Sequence, residues 1–313
     1  MSDWKVLLTD GLHENGQAIL RASAQVDNRP DISAEELLKI VGEYDALIVR
    51  GRTKVNASVF AAAPRLKVVG RAGVGVDNID LTAAAAHNVR VINAPVSTSL
   101  AVAELAIGMM FALARHIPRA DAAMKAGKWI KKELEGIELS GKTLGVIGMG
   151  NIGALVAQRC TLLGMKVIGY DPLIPTEIIR NRCAEPVSLA ELLAAADFIT
   201  IHIPLNAETK GALNKQAFAQ MKHGVRLIDV ARGGIVDEAA LLEALETGQV
   251  AGAALDVFAV EPPGQTNLVT HPNVVATPHI GAQTEEAQTR ASQDIANDVL
   301  IALRGETLRW KIV

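Results

Sequence analysis

Cysteine is nearly absent: Cys160 and Cys183 are the two in 313 residues, too few for a disulfide framework and without metal-ligand spacing. Both fit a reducing cytosol as ordinary thiols, and no metal site is expected. An excess of one charge is also missing. The 31 Lys+Arg and 34 Asp+Glu leave a net charge of −3, so there is no field to gather nucleic acid or an anionic membrane. No apolar run reaches the roughly 20 residues of a membrane span. The longest, LAVAELAIGMMFALA (100–114), is interrupted by Glu104 and reads as a helix buried in a domain or at a subunit interface. The opening MSDWKVLLTD carries Asp3 and Lys5 and enters a strand pattern at once, unlike a signal peptide. Low-complexity segments and short-period repeats are missing as well. A soluble cytoplasmic protein of two domains is expected, because the chain is too long for one small core.

What is present is a regular alternation. WKVLLTD, DALIVRG, LKVVGRAG and VRVINAP are strand candidates rich in Val, Ile and Leu without polar alternation, as strands covered on both faces should be. Between them lie helix candidates such as ENGQAILRASA and SAEELLKIVGEY, the second opening with a capping box at Ser33 and Glu36. Residues 98–137 break the pattern with mostly helical sequence. A second series then runs KTLGVIG, MKVIGYDP, DFITIHIPL, GVRLIDVAR, GAALDVF and NVVATPHI, six strands of a doubly wound dinucleotide-binding domain. A long helix (about 283–304) leads to TLRWKIV, a strand-like tail expected to return to the first domain. The expected fold is α/β with two doubly wound parallel sheets, a Rossmann domain (98–287) inserted in a flavodoxin-like domain (1–97 and 288–313). Hinges are expected near 94–98 and 281–287.

GMGNIG (148–153) sits between the strand TLGVI and the helix ALVAQRCTLLG, and Asp171 ends the next strand 18 residues beyond Gly153. In such a loop Gly148 permits the tight turn, Gly150 lets backbone approach a pyrophosphate, and Gly153 lets helix and strand lie close. The N–H groups of Asn151 and Ile152 open the helix and present partial positive charge to that anion. Asp171 can accept from ribose hydroxyls and repels a 2′-phosphate, and Pro172-Leu173 offer no Arg to hold one, so NAD is expected over NADP.

Ligands of a doubly wound sheet lie outside the carboxyl ends of its strands. The last three strands deliver Arg232, Glu261 (in AVEPP) and His279 (in TPHIGA) to that rim. Each alone has an ordinary structural explanation, but together they match a chemistry. Oxidation of a 2-hydroxy acid needs a cation for the carboxylate and C2 oxygen, a proton carrier, and a group that tunes the carrier. A planar guanidinium suits the first task, an imidazole the second, and a nearby carboxylate the third. Asp256 breaks an apolar strand, either to cap backbone N–H groups or to accept from a nicotinamide carboxamide.

GMGNIG, YDP, HIPL, DVARGGIVDE, AALDVFAVEPP and TPHIGA resemble the D-isomer-specific 2-hydroxyacid dehydrogenase family over essentially the whole chain. GRAGVGVDNID (70–80), MKAGKW and DVARGGIVDEAALLEAL are most similar to its branch acting on D-3-phosphoglycerate. The resemblance implies Arg232, Glu261 and His279 as the catalytic set. It implies NAD contacts at the Gly-rich loop, Asp171, Pro172, His202, Ile203, Pro204, Val230, Ala231, Arg232, Asp256, His279 and Gly281. A substrate carboxylate would be held by N–H groups around Ala72, Gly73, Val74 and Gly75. A phosphate would be held by Arg50, Arg52 and Arg71, with Lys131 or Lys132 from a partner subunit. Dimerisation through 98–137 is implied, giving a homodimer. Two departures fall on substrate-contacting segments: Val96-Ser97-Thr98-Ser99 where Asn-Gly-Asn-Ser is frequent, and Val74 where Thr is frequent. Hydroxypyruvate or glyoxylate, D-lactate and sulfolactate therefore stay open as acids, and an NAD-sensing corepressor-like protein is the alternative of another class. The chain ends near the close of the family's catalytic core, so regulatory extensions are not expected.

Overall fold

The computed structural model describes residues 4–313, which leaves Asp3 of the polar opening outside the described residues. The chain divides into two units, one reaching to Thr98 and resumed over Ala282–Val313, the other spanning Ser99–Gly281. Residues 282–287, assigned to the inserted domain on sequence grounds, thus fall in the first unit.

In the first unit, strands β1 (Lys5–Leu8), β2 (Gln25–Asn28), β3 (Ala46–Val49), β4 (Val68–Arg71) and β5 (Arg90–Asn93) alternate with helices α1 (Glu14–Arg21), α2 (Ala34–Ile40), α3 (Ala57–Ala62) and α4 (Leu81–Ala86). All pairings are parallel, in the order β2-β1-β3-β4-β5, which is the flavodoxin-like order. β3 is buried along its length, as its unbroken ALIV requires. β2 reads QVDN and is mostly exposed, an edge strand whose polar composition kept it from standing out as a strand candidate after the helix-like ENGQAILRASA. The expected capping box is present: Ser33 caps the Glu36 N–H while the Glu36 carboxylate accepts from the Ser33 N–H.

The second unit begins with α5 (Ser99–Ala114) and α6 (Ile117–Lys125), followed by β6 (Thr143–Ile147), α7 (Asn151–Leu162), β7 (Lys166–Tyr170), α8 (Thr176–Asn181), β8 (Glu185–Pro186), α9 (Leu189–Ala195), β9 (Phe198–Ile201), α10 (Lys215–Gln220), β10 (Val225–Asp229), α11 (Glu238–Glu246), β11 (Val250–Leu255) and β12 (Val274–Ala276). The sheet order is β12-β11-β10-β9-β6-β7-β8, the dinucleotide-binding order with one strand more than the six expected. The added member is β8, two residues long and containing Pro186. Proline is confined to edges because it cannot donate to a ladder, and nothing in so short a run marks a strand. Two apolar clusters sandwich this sheet. One is built around Leu192, Phe218 and Leu241, the other around Met110, Met149 and Val156. Asp256 lies one residue beyond the end of β11 rather than inside the strand, where a buried carboxylate would lack partners.

The last helix, α12 (Glu285–Arg304), belongs to the first unit and buries Ile295 and Val299 against its core. The tail that follows forms one antiparallel bridge, Lys311 to Ile92, rather than a full strand, with Ile312 N–H donating to the Val91 carbonyl at 2.8 Å. Among the described residues no single helix is long and apolar enough to cross a membrane.

Candidate active site

The Gly-rich loop connects β6 to α7. A Cβ on Gly148 (φ 93°) would lie 2.7 Å from the His202 carbonyl oxygen, and one on Gly153 would lie 2.0 Å from the Gly148 carbonyl oxygen. Both positions are closed to side chains by the protein itself. Gly150 differs, because nothing lies within 4 Å of a Cβ built there. Packing does not require glycine at that position, and a ligand approaching the backbone does. Gly150 is also the N-cap of α7 and offers no side-chain cap, so the N–H groups of Asn151 and Ile152 at the helix start stay available to an anion. The residues present therefore fit a dinucleotide pyrophosphate.

Asp171 follows β7 and accepts the Met149 N–H on Oδ2 and the Leu173 N–H on Oδ1, each at 2.9 Å. Each oxygen keeps acceptor capacity for a ribose hydroxyl, and Pro172 beside it is exposed. Arg182, just after α8, donates to the Met149 carbonyl, a contact that no motif signals. It reaches the loop through the α8 turn rather than through a motif. After β9, the His202 N–H donates to the Ile147 carbonyl at 2.8 Å, which fixes His202-Ile203-Pro204 beside the loop. The His202 Nε2 lies 2.9 Å from the Thr200 Oγ1, Nδ1 is buried without a partner, and burial pushes the imidazole down to about 3. That ring is neutral at physiological pH.

The strand ends of β10, β11 and β12 form the rim. Val230 and Ala231 are buried past the end of β10 and lead to Arg232, whose Nη1 donates to the Ala231 carbonyl at 2.6 Å. The next residue, Gly233, passes so close to Phe258 that a Cβ would lie 1.8 Å from its carbonyl oxygen. This approach brings the Arg232 turn against the loop that carries Glu261. Glu238, at the start of α11, accepts the Ala259 N–H at 2.6 Å and holds the same loop. Glu261 accepts the Phe258 N–H on Oε1 at 3.1 Å and meets His279 Nδ1 with Oε2 at 2.9 Å.

His279 adopts φ 53°, in the left-handed region, which costs a non-glycine residue about 1–2 kcal/mol. Asp256 holds it there. Its Oδ1 accepts the Thr277 hydroxyl at 2.6 Å and the Ile280 N–H at 2.8 Å, and its Oδ2 accepts the Gly281 N–H at 2.8 Å. Of its two expected roles, Asp256 thus performs the backbone-capping one. With Nδ1 committed to Glu261, the free nitrogen of His279 is Nε2, on a side chain 47% exposed.

Asp229 was not singled out in the sequence, where it is one more residue of a strand. It is 2% exposed at the end of β10 and accepts the Ala231 N–H at 2.9 Å. Burial raises its carboxyl to about 7, helped by the Asp256 charge and opposed by backbone N–H groups and Arg232.

In the first unit, the Ala72 and Gly73 N–H groups are spent on the Val49 and Arg71 carbonyls. Those of Val74 and Gly75 have no partner among the described residues. Arg71 curls over Gly73, its Nη1 1.5 Å from where a Cβ would sit. Arg52 donates to the carbonyls of Ile32, Thr9 and Pro30 at 3.0, 2.5 and 2.6 Å and pairs with Asp10 at 3.3 Å, so its guanidinium ties loops together. Arg50 is half-buried, and burial pulls its pKa down. Lys131 and Lys132 are exposed on a short 3₁₀ turn. Ser97, in the divergent loop, donates to Asp294 at 2.5 Å and accepts from Arg290 at 3.0 Å, which fastens that loop to α12.

Comparison with known proteins places this geometry. Residues 107–281 match the family model "D-isomer specific 2-hydroxyacid dehydrogenase, NAD binding domain". The chain is 49% identical over 305 residues to D-3-phosphoglycerate dehydrogenase of Rattus norvegicus, covering 97% of the chain and 57% of that protein. It is 48% identical to the protein of the same name from Methanocaldococcus jannaschii, covering 96% of the chain and 58% of that protein. The chain thus spans somewhat more than half the length of these relatives. Among solved structures it is similar to a glyoxylate reductase from Paecilomyes thermophila (TM-score 0.90, 30% identity, 100% and 99% coverage). It is also similar to D-lactate dehydrogenase from Aquifex aeolicus complexed with NAD and lactic acid (TM-score 0.85, 29% identity, 96% coverage of both chains).

Two outcomes follow from the site. Gly150→Ala should leave the stability of the free protein within about 0.5 kcal/mol in urea unfolding, since the new methyl meets nothing, yet weaken NADH binding at least about tenfold by obstructing the pyrophosphate. Unchanged NADH affinity would remove the assigned role of Gly150. For Asp229 the folded state keeps a proton up to pH about 7 that the unfolded chain releases near 3.9. Stability therefore falls as pH rises through that window and stays lower above it. Asp229→Asn removes the dependence, so its advantage over the parent should grow from pH 4 to 7 and level off at no more than about 4 kcal/mol. Equal differences in melting temperature at pH 5 and pH 8 would contradict this.

Proposed function

The chain belongs to the D-isomer-specific 2-hydroxyacid dehydrogenase family, and from that premise we propose that it oxidises a D-2-hydroxy acid to the 2-oxo acid with NAD. The observation that carries the proposal is the 2.9 Å contact of Glu261 with His279 Nδ1, which leaves Nε2 as the proton acceptor on a rim shared with Arg232. Bound NAD supplies the two-electron acceptor for the C2 hydride. His279 Nε2 takes the C2 hydroxyl proton, and Glu261 fixes the tautomer and balances the imidazolium that results. The Arg232 guanidinium polarises the C2 oxygen and holds the carboxylate by its fork. The Gly-rich loop, Asp171, the 202–204 segment, Val230, Ala231 and Gly281 are assigned to the cofactor, while Asp256 holds the turn that carries His279. In the first unit the free N–H groups of Val74 and Gly75 suit a carboxylate, with Ala72 and Gly73 shaping their turn.

The substrate best supported is D-3-phosphoglycerate, giving 3-phosphohydroxypyruvate, because the curated relatives near 49% identity carry that name. Arg50 and Arg71 are then the phosphate candidates of the first unit, while Arg52 is occupied by carbonyls. That occupation favours the second reading, a small unphosphorylated acid such as glyoxylate or lactate. A homodimer is proposed through α5 and α6, where Phe111, Ile117 and Met124 are exposed at 38%, 51% and 58%. Free Cys160 and Cys183 are in keeping with a reducing, cytoplasmic setting.

NADH formation with a panel of 2-hydroxy acids, compared as kcat/KM, tests the assignment. D-3-phosphoglycerate should lead, with D-glycerate at least about tenfold lower for want of the phosphate contacts. A lead for D-lactate would transfer the assignment to the second reading, and turnover of none would make the protein an NAD-binding sensor. His279→Ala should lower kcat by roughly 10²–10⁴-fold with NADH affinity retained, and near-normal turnover would end the proton-carrier assignment.

A further inference from the structure

At the end of the second sheet opposite the catalytic rim, where β10, β11 and β12 begin, lies a cavity of about 240 Å³. Its walls present Arg119, Arg226, His116 and His271, together with Thr270 and Asn273, and include no Asp or Glu. A register shift between Val225 and Arg226 leaves Ala251 without a partner on β10, a bulge at the start of β11. We propose that this cavity is a second ligand site of the NAD-binding unit and takes the phosphate group of a small metabolite.

Arg226 is the centre of the argument. It is half-buried, with its guanidinium 5.7 Å from the Phe198 ring centroid. The one hydrogen bond of this guanidinium among the described residues is a long 3.5 Å contact to the Gly224 carbonyl, and no carboxylate of the described residues lies within ion-pairing distance. The nearest charge that acts on it, Asp197, is already bound to Lys222 at 2.7 Å and to the Thr143 N–H at 2.8 Å. A guanidinium carries five N–H donors, and leaving them in a partly desolvated place without acceptors is costly. An oxyanion in the cavity would satisfy them.

Three neighbours support the same ligand. His271 accepts the Asn273 N–H on Nδ1 at 3.2 Å, so a neutral ring carries its proton on Nε2 and is a donor there. α6 starts at this wall with His116 as an N-cap that forms no side-chain bond, so the N–H groups of Ile117 and Arg119, on either side of Pro118, are uncapped donors. Arg119 is held by Glu133 at 2.6 Å in an exposed pair, of the kind worth little and readily exchanged for a better anion. The volume is below the usual range of drug-sized pockets and suits a compact anion. None of these residues belongs to the catalytic rim or the Gly-rich loop.

The test is calorimetric titration of inorganic phosphate, and separately of a simple phosphate monoester, into the full chain saturated with NADH. The parent should show a site that Arg226→Met and His271→Ala each weaken about tenfold, with NADH affinity changed by less than about twofold. Arg226→Met keeps the stem over Phe198; should it fail to fold, His271→Ala carries the comparison alone. Absence of binding at millimolar phosphate, or binding that neither variant weakens, overturns the proposal, including the case in which a second copy of the chain fills the cavity.

Discussion

The rim of the second unit depends on the Asp256 carboxylate. Three donors from Thr277, Ile280 and Gly281 converge on its two oxygens, and they surround His279, whose backbone is left-handed. Each hydrogen bond to a charged, buried acceptor is worth about 1.5–3 kcal/mol, more than the strain at His279. The strain persists because the surrounding bonds over-determine the turn. Without that turn the imidazole would not face Glu261, and the proposed proton carrier would lose its tautomer.

A second constraint meets the first from the neighbouring strand. Gly233 lies against the Phe258 carbonyl, and Glu238 and Glu261 cap the N–H groups of Ala259 and Phe258. The loop bearing the carboxylate is therefore fastened from α11, from its own side chain and by backbone contact at once. Asp229 sits at the same strand end, and its burial holds its carboxyl at about 7. Two carboxyls thus lie at adjacent strand ends with different sets of donors. Asp256 is satisfied by three donors, and Asp229, with fewer, retains its proton until near neutrality.

Much of this was legible in the sequence where a residue type has one physical reason to be in its place. GMGNIG could be read glycine by glycine, and the structure separates the positions that packing requires, Gly148 and Gly153, from Gly150, where packing leaves room for a side chain. The unbroken apolar strands marked both sheets, and the Ser33–Glu36 box marked a helix start. The edges were not legible. β2 is polar because one side faces water, and β8 is a two-residue strand containing proline. Asp229 and Arg182 were hidden for another reason: the raised pKa of Asp229 comes first from a burial that only the fold creates, and the partner of Arg182 is a carbonyl of the Gly-rich loop distant along the chain.

Reaction and substrate are written in different places. The proposed chemistry rests on strand ends that the sheet order forces onto one rim, so it follows from topology and a few short motifs. Substrate choice rests on side chains whose use depends on local competition. Arg52 looks like a phosphate ligand in the sequence, but three carbonyls and Asp10 reach it first. Ser97, in a divergent loop, is likewise taken by Asp294. Arg226 shows the reverse, a cation that looks like an ordinary strand residue yet is left with an aromatic face and one long bond. A cation's role is decided by which acceptors the fold has already given it.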